Sequence, residues 1–269
     1  MARYKKKRVR ELQHDRFRDT TISVFDRLGT LLEGRGKAIL YGIVGLVLLA
    51  VLVGVWVTWS RRKADEARRA LGRGIAIASA PVSSTSPLDP ASTYANEQER
   101  AQKAIEEFQK VVAKYGDPYR SEARYFVATN LLYVDREKGI SELAELSKSN
   151  LSDIATLAKF ALAQAKEADG KYDEAAQLYS QLASQNSVII TPETANLRLA
   201  MVYQKQGKKK EAADILFQIA DGARKAKDAD GATPPLSAAA REASQELQKL
   251  DPDRFAQLPE ESPAAGLAF

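Results

Sequence analysis

The sequence predicts an all-α protein in two parts, one membrane-crossing helix near the N-terminus and a solenoid of paired helices after it. Three observations carry the prediction. Residues Ala38–Trp59, AILYGIVGLVLLAVLVGVWVTW, form an apolar run of 22 residues without a charge. The net charge of +5 is gathered ahead of that run. Beyond it, a helix-turn-helix pattern returns at spacings of 36, 35 and 37 residues, counted from Ala104 through Ile140 and Ala175 to Ala212.

Residues 1–37 read as a basic cytosolic tail. They hold 11 Lys/Arg against 5 Asp/Glu, whereas the chain after Ser60 holds 29 against 30. A near-neutral large domain argues against nucleic acid as its ligand, because phosphate binding needs a concentrated positive surface. The opening RYKKKRVR, Arg3 to Arg10, suits anionic lipid headgroups or the fixing of topology better than RNA. Further along, Thr21, Phe25, Leu28 and Leu32 recur at helical spacing behind Asp19, which is placed to cap the start. Gly34 and Gly36 stop this amphipathic helix before the span, so it suits the inner membrane surface or a cytosolic partner.

The transmembrane helix is placed at residues 38–60. Its apolar run spans about 33 Å at ~1.5 Å per residue, enough to cross a bilayer. Tyr41 near one end and Trp56 and Trp59 at the other stand where amphipathic rings settle at headgroup level. The run is longer than a signal-peptide core and meets Arg61, Arg62 and Lys63 without a small-x-small cleavage site, so it reads as an uncleaved signal anchor. Ala38, Gly42 and Gly45 share one helical face, a contact surface for another membrane helix. Both flanks are basic. The N-terminal tail is short and long domains translocate largely regardless of charge, so the expected orientation is N-terminus inside and large domain outside.

After the span, KADEARRALGRGIAIASA continues as a helical stalk over residues 61–80. The Pro- and Ser-rich segment 81–94 reads as a linker, and residues 95–250 as the helical-repeat domain. The repeat is plainest in ANLRLAMVYQKQGKKKEAADILFQIA, residues 195–220. Leu199, Ala200 and Tyr203 form one packing stripe, Gly207 allows the turn, and Ala212 and Leu216 begin the next stripe. Residues 158–183 repeat this grammar with Leu162, Ala163, Gly170, Tyr172, Ala175, Tyr179 and Leu182. Ile140 occupies the crossing position in a degenerate copy, and Ala104, Phe108 and Val111 occupy the earliest. Leu236–Leu250 reads as a capping helix, and residues 251–269, with Pro252, Pro259 and Pro263, as an extended C-terminal tail.

These copies resemble tetratricopeptide-like repeats, in which antiparallel helix pairs of about 34 residues stack into a curved solenoid. The layout as a whole resembles one family of single-span repeat proteins, the YfgM-type ancillary subunits of the bacterial Sec translocon. The likeness lies in arrangement: a short tail, the Gly36-Lys37-Ala38 entry to a glycine-bearing span, a charged stalk with Asp65, Ala67 and Arg68, and the repeats. It implies a bacterial inner-membrane protein with an N-terminal cytoplasmic tail and a periplasmic domain near the translocon exit. Secreted chains or periplasmic chaperones would be its partners there. The alternative is a structural accessory subunit of another membrane complex, clamping one fixed partner.

No cofactor and no catalytic site is expected. The chain has no cysteine and one histidine, His14 in the tail, so the domain has neither a thiolate or His-ligated metal site nor a Ser-His-Asp triad. Leu71–Ala76, LGRGIA, lacks the spacing of a phosphate loop and follows a helix instead of a strand. Glu106 with Glu107, and Asp173 with Glu174, lie on amphipathic helices whose solvated faces explain them. The run Lys208, Lys209, Lys210 follows a turn glycine, where solvation is the ordinary use. The tetratricopeptide likeness implies that the first helix of each pair lines the concave face. A partner or peptide groove is therefore expected from Phe160, Gln164, Glu167, Leu197, Met201, Gln204 and Lys205. Met201 is weighed toward core filling, since a single thioether is ordinary packing.

Overall fold

The computed structural model describes residues 36–82, 94–227, 229, 231 and 234–260. Residues 1–35, with the expected amphipathic helix and His14, most of the linker, and the last nine residues lie outside the described residues. The chain divides into two units, Met1–Asp65 and Glu66–Phe269.

In the first unit the described chain is the leading part of helix α1, Gly36–Ala78. Its apolar side chains face outward all round: Tyr41, Leu46, Leu52 and Trp56 are 73%, 69%, 67% and 65% exposed. A helix that hides none of its apolar surface is unlike the buried helix of a soluble core, and α1 is long and apolar enough to cross a membrane. Where the apolar run ends, the Lys63 ammonium lies 3.7 Å from the Trp59 ring centroid, a cation–π contact.

The second unit begins within α1 at Glu66. It continues through α2 (Glu97–Lys114), α3 (Tyr119–Val134), α4 (Arg136–Leu146), α5 (Ser152–Ala168), α6 (Tyr172–Ala183), α7 (Pro192–Lys205), α8 (Lys209–Lys225), α9 (Ala238–Leu250) and the single turn α10 (Pro252–Phe255). No strand occurs among the described residues. From α2 onward each helix packs chiefly on the next, as expected of a solenoid in which every repeat touches only its neighbours.

Local chemistry sets the breaks. The Asn96 carboxamide accepts from Glu99 N–H at 2.8 Å, while the Glu99 carboxylate accepts from Ala95 N–H at 3.0 Å, a reciprocal start for α2. Thr191 caps α7 ahead of Pro192, and Ser237 caps α9. The α5–α6 and α7–α8 turns are copies of one another. Gly170 and Gly207 stand at φ 72° and 77°, and the following Lys171 and Lys208 N–H groups both donate to carbonyls five residues back at 2.9 Å. This closure needs a left-handed residue, which glycine supplies without steric cost.

Four apolar clusters form the core in chain order. The first joins Ala70 and Leu71 of α1 to Ala104, Phe108 and Val111 of α2 and Ala123 of α3. The end of α1 is therefore the first helix of the first pair, so residues 66–78 of the expected helical stalk pack with the repeat helices. Gly74 makes this possible: a Cβ there would stand 2.4 Å from the Phe108 ring. Charges reinforce the pairing, with Arg73 bound to Glu107 at 3.0 Å. The Lys110 and Arg73 cations hold the Glu107 carboxyl below its usual range. The linker is consequently a connection inside the first pair. Its ends are tied by Tyr94 N–H to Pro81 O at 3.2 Å and by Arg100 Nη1 to Ala80 O at 3.2 Å.

The degenerate copy differs by one residue from the sequence expectation. Gly139, not Ile140, is the fourth residue of α4, as Ala175 and Ala212 are of α6 and α8. A Cβ at Gly139 would lie 2.9 Å from Leu132 N, so the second helix crosses α3 more closely than alanine allows. Ile140 stands beside that crossing, partly buried. At the far end, residues 251–260 are not an extended tail. Asp251 caps α10, Leu258 is buried, and Arg224 Nη1 donates to Pro259 O at 2.5 Å, closing the last pair together with α9.

Candidate partner groove

The first helices of two successive pairs, α5 and α7, carry the residues expected to meet a ligand. Glu167, near the end of α5, accepts from the Tyr179 hydroxyl at 3.0 Å through one oxygen and from Lys205 Nζ at 2.7 Å through the other. This bridge ties α5 to α6 and α7. Tyr179 is fully buried, and its ring meets Phe160 edge-on at 5.8 Å between centroids. Burial pushes the Tyr179 phenol well above its ordinary range, and the Glu167 carboxylate acts in the same direction.

Phe160 and Met201 are half-buried and Gln164 is exposed between the Phe160 and Glu167 levels, so all three keep accessible surface. Lys205 is exposed but engaged with Glu167. Leu197 departs from the expected list. At 3% exposure it belongs to the cluster of α7, α8 and α9, where Ala240, Ala243 and Leu247 of the capping helix pack. Gln204 is turned inward as well, its Nε2 buried with no hydrogen-bond partner among the described residues. The alanine-rich face of α9 lets that helix settle closely on α7, which places Leu197 in the core.

Arg198 was not among the expected residues, yet it stands half-buried on α7 beside Met201, its Nη1 3.6 Å from the Met201 sulfur. Its charge acts on Tyr179, opposing the rise of that phenol's pKa. A charged residue on an amphipathic helix reads as solvated from sequence, and only the position of α5 across from it distinguishes this one. In the first unit, Ala38, Gly42 and Gly45 are exposed, and a Cβ at Gly42 or Gly45 would meet nothing within 4 Å.

No cluster of three metal-ligating side chains occurs among the described residues. Of the polar groups on these two helices, Glu167 is bound to Tyr179 and Lys205, an arrangement that positions the helices.

No family model matches the chain, and no curated protein sequence matches it. Among solved structures it is similar to one described as kinesin light chain nearly identical TPR-like repeats, from Podosopora anserina. The match has 18% identity, covers 71% of this chain and 84% of that chain, and has a TM-score of 0.40. From its own helix pairs, glycine turns and capping helix, the second unit is a tetratricopeptide-like α-solenoid.

Proposed function

We propose that the protein is a membrane-anchored interaction module, a periplasmic chaperone-like or scaffold subunit associated with the Sec translocon. One observation supports the reading above others: the same chain has a helix exposing apolar side chains on every face and a helical-repeat groove with exposed Gln164 and half-buried Phe160 and Met201. A helix with apolar side chains exposed on every face suits lipid, and a row of paired helices suits an extended polypeptide held by apolar anchors and backbone contacts. The likeness of layout to YfgM-type subunits supplies the location and the translocon. A repeat solenoid of this kind is typically a non-catalytic interaction module.

A second reading draws on the Ala38, Gly42 and Gly45 surface. Small residues exposed along a membrane helix suit close contact with one fixed partner helix, as in a structural subunit of a larger complex. Constant stoichiometry on purification would mark that case.

The chain has no cysteine, so a single introduced thiol reports location cleanly. Gln164→Cys should react with a membrane-impermeant maleimide in intact spheroplasts, and the protein should stay with membranes after alkaline extraction. Labelling only after lysis would reject the periplasmic placement. Release by alkali would reject the anchor.

A further inference from the structure

The two parallel helices of the groove form a charge pair at one level and lack one two turns earlier. Helix α6 runs antiparallel to both α5 and α7, so those two are parallel, and Lys205 on α7 meets Glu167 on α5 at 2.7 Å. Seven residues back on each helix, about two turns, Arg198 stands at the level of Phe160. Where a carboxylate would repeat the pair, α5 presents an aromatic ring.

The other half-buried arginines of the second unit all donate to an oxygen. Arg124 meets Glu142, Arg136 meets Asp169, Arg254 meets Asp214, and Arg100 and Arg224 reach the carbonyls of Ala80 and Pro259. For Arg198 the contact is the Met201 thioether, and among the described residues no carboxylate forms an ion pair with it. A guanidinium carries five donors in a planar fork matched to a carboxylate, and without such a partner in the fold the Arg198 fork is left open to solvent and to a ligand.

We propose that Arg198 binds the carboxylate of an aspartate or glutamate side chain within an extended polypeptide lying along the α5–α7 groove, with Phe160 and Met201 receiving the adjacent apolar side chain. This rests on the polypeptide-binding reading above and adds to it a preferred sequence chemistry, an acidic residue next to an apolar one. A side chain is favoured over a chain end because the row of first helices continues on both sides, α3 packing on α5 and α9 on α7. A segment over Arg198 therefore has surface before and after it.

The test uses the full chain in lipid nanodiscs at low salt and three fluorescein-labelled probes. The first is a Ser-Leu-Ala-Glu-Ala-Leu-Ser peptide blocked at both ends. The second carries glutamine in place of its glutamate, and the third is the glutamine form with a free C-terminal carboxylate. The wild type is expected to bind the first roughly tenfold more tightly than the second, the scale of a charge-assisted hydrogen-bonded pair. Arg198→Gln should remove that preference with helical content unchanged. Arg198→Lys, which keeps the charge and stem, should retain part of it and supports the result independently of how the neutral variant folds.

Equal binding of the first two probes by the wild type overturns this proposal and leaves the groove reading standing. Binding of neither overturns both. Preference for the free C-terminus overturns the side-chain assignment.

Discussion

Alanine at Gly72 and at Gly74, two residues apart on α1, should change stability in opposite directions. Gly72 is exposed and a Cβ there meets nothing within 4 Å, so Gly72→Ala collects only the helix-propensity gain, about 1 kcal/mol. At Gly74 the same gain is opposed. The added carbon would stand 2.4 Å from Phe108 Cε1, more than about 1 Å inside ordinary carbon contact. Phe108 is fully buried and stacked on Phe126 with centroids 4.9 Å apart, so the ring cannot turn aside without opening that stack. Overpacking of this kind costs about 1–3 kcal/mol and the aromatic pair about 0.5–1.5 kcal/mol. Net destabilisation of about 0.5–3.5 kcal/mol remains after the propensity gain. For a domain of this size a kilocalorie moves Tm by about 2–4 °C. Thermal unfolding of the full chain in nanodiscs, followed by far-UV circular dichroism, should therefore show Gly72→Ala melting about 3 °C higher and Gly74→Ala lower by a similar or greater amount. Equal increases for both variants would mean that this stretch is a solvated stalk and not the first helix of the repeat domain.

Gly139→Ala should cost about 1–3 kcal/mol in urea unfolding, because its obstacles are the backbone Leu132 N at 2.9 Å and Ala128 O at 3.0 Å, which cannot swing away; an unchanged midpoint would remove the close α3–α4 crossing. Gly207→Ala should lose about 1–2 kcal/mol from the left-handed conformation at φ 77°, measured the same way, and a neutral result would show that the turn has another solution. Because burial raises the Tyr179 phenol, the folded chain keeps that proton above pH values at which the unfolded chain releases it. The contribution is full below the ordinary value of 10.0 and is lost as pH climbs past it. Urea midpoints between about pH 8 and 11 should thus fall more steeply for the wild type than for Tyr179→Phe, and parallel slopes would show that the hydroxyl is not buried in the fold.

The helix pairs were legible because their signals are local. Ala104, Ala175 and Ala212 are all fully buried at helix crossings, and Gly170 and Gly207 turn where their spacing places them. The role of residues 66–78 was not. The adjoining apolar run and the Pro- and Ser-rich connection broke the repeat pattern, and Gly74 acquires meaning only once Phe108 lies against it. Similarly, Ile140 matched the apolar pattern while the position that decides the crossing was its neighbour Gly139, since a missing side chain carries no periodic signal. Leu197 lay on the helix expected to line the groove, and its burial depends on α9, some forty residues on by sequence. Pro252 suggested an extended tail, yet behind Asp251 it occupies the first helical position, where proline is well tolerated.

Groove binding is tested most directly by photo-crosslinking in intact cells, with benzoylphenylalanine placed at exposed Gln164 on α5 and, for comparison, at exposed Gln102 on α2. During synthesis of an arrested secreted reporter, Gln164 should capture the nascent chain in the membrane fraction and Gln102 should not. Equal capture at both positions, or capture at neither, would contradict a polypeptide-binding groove on this repeat domain.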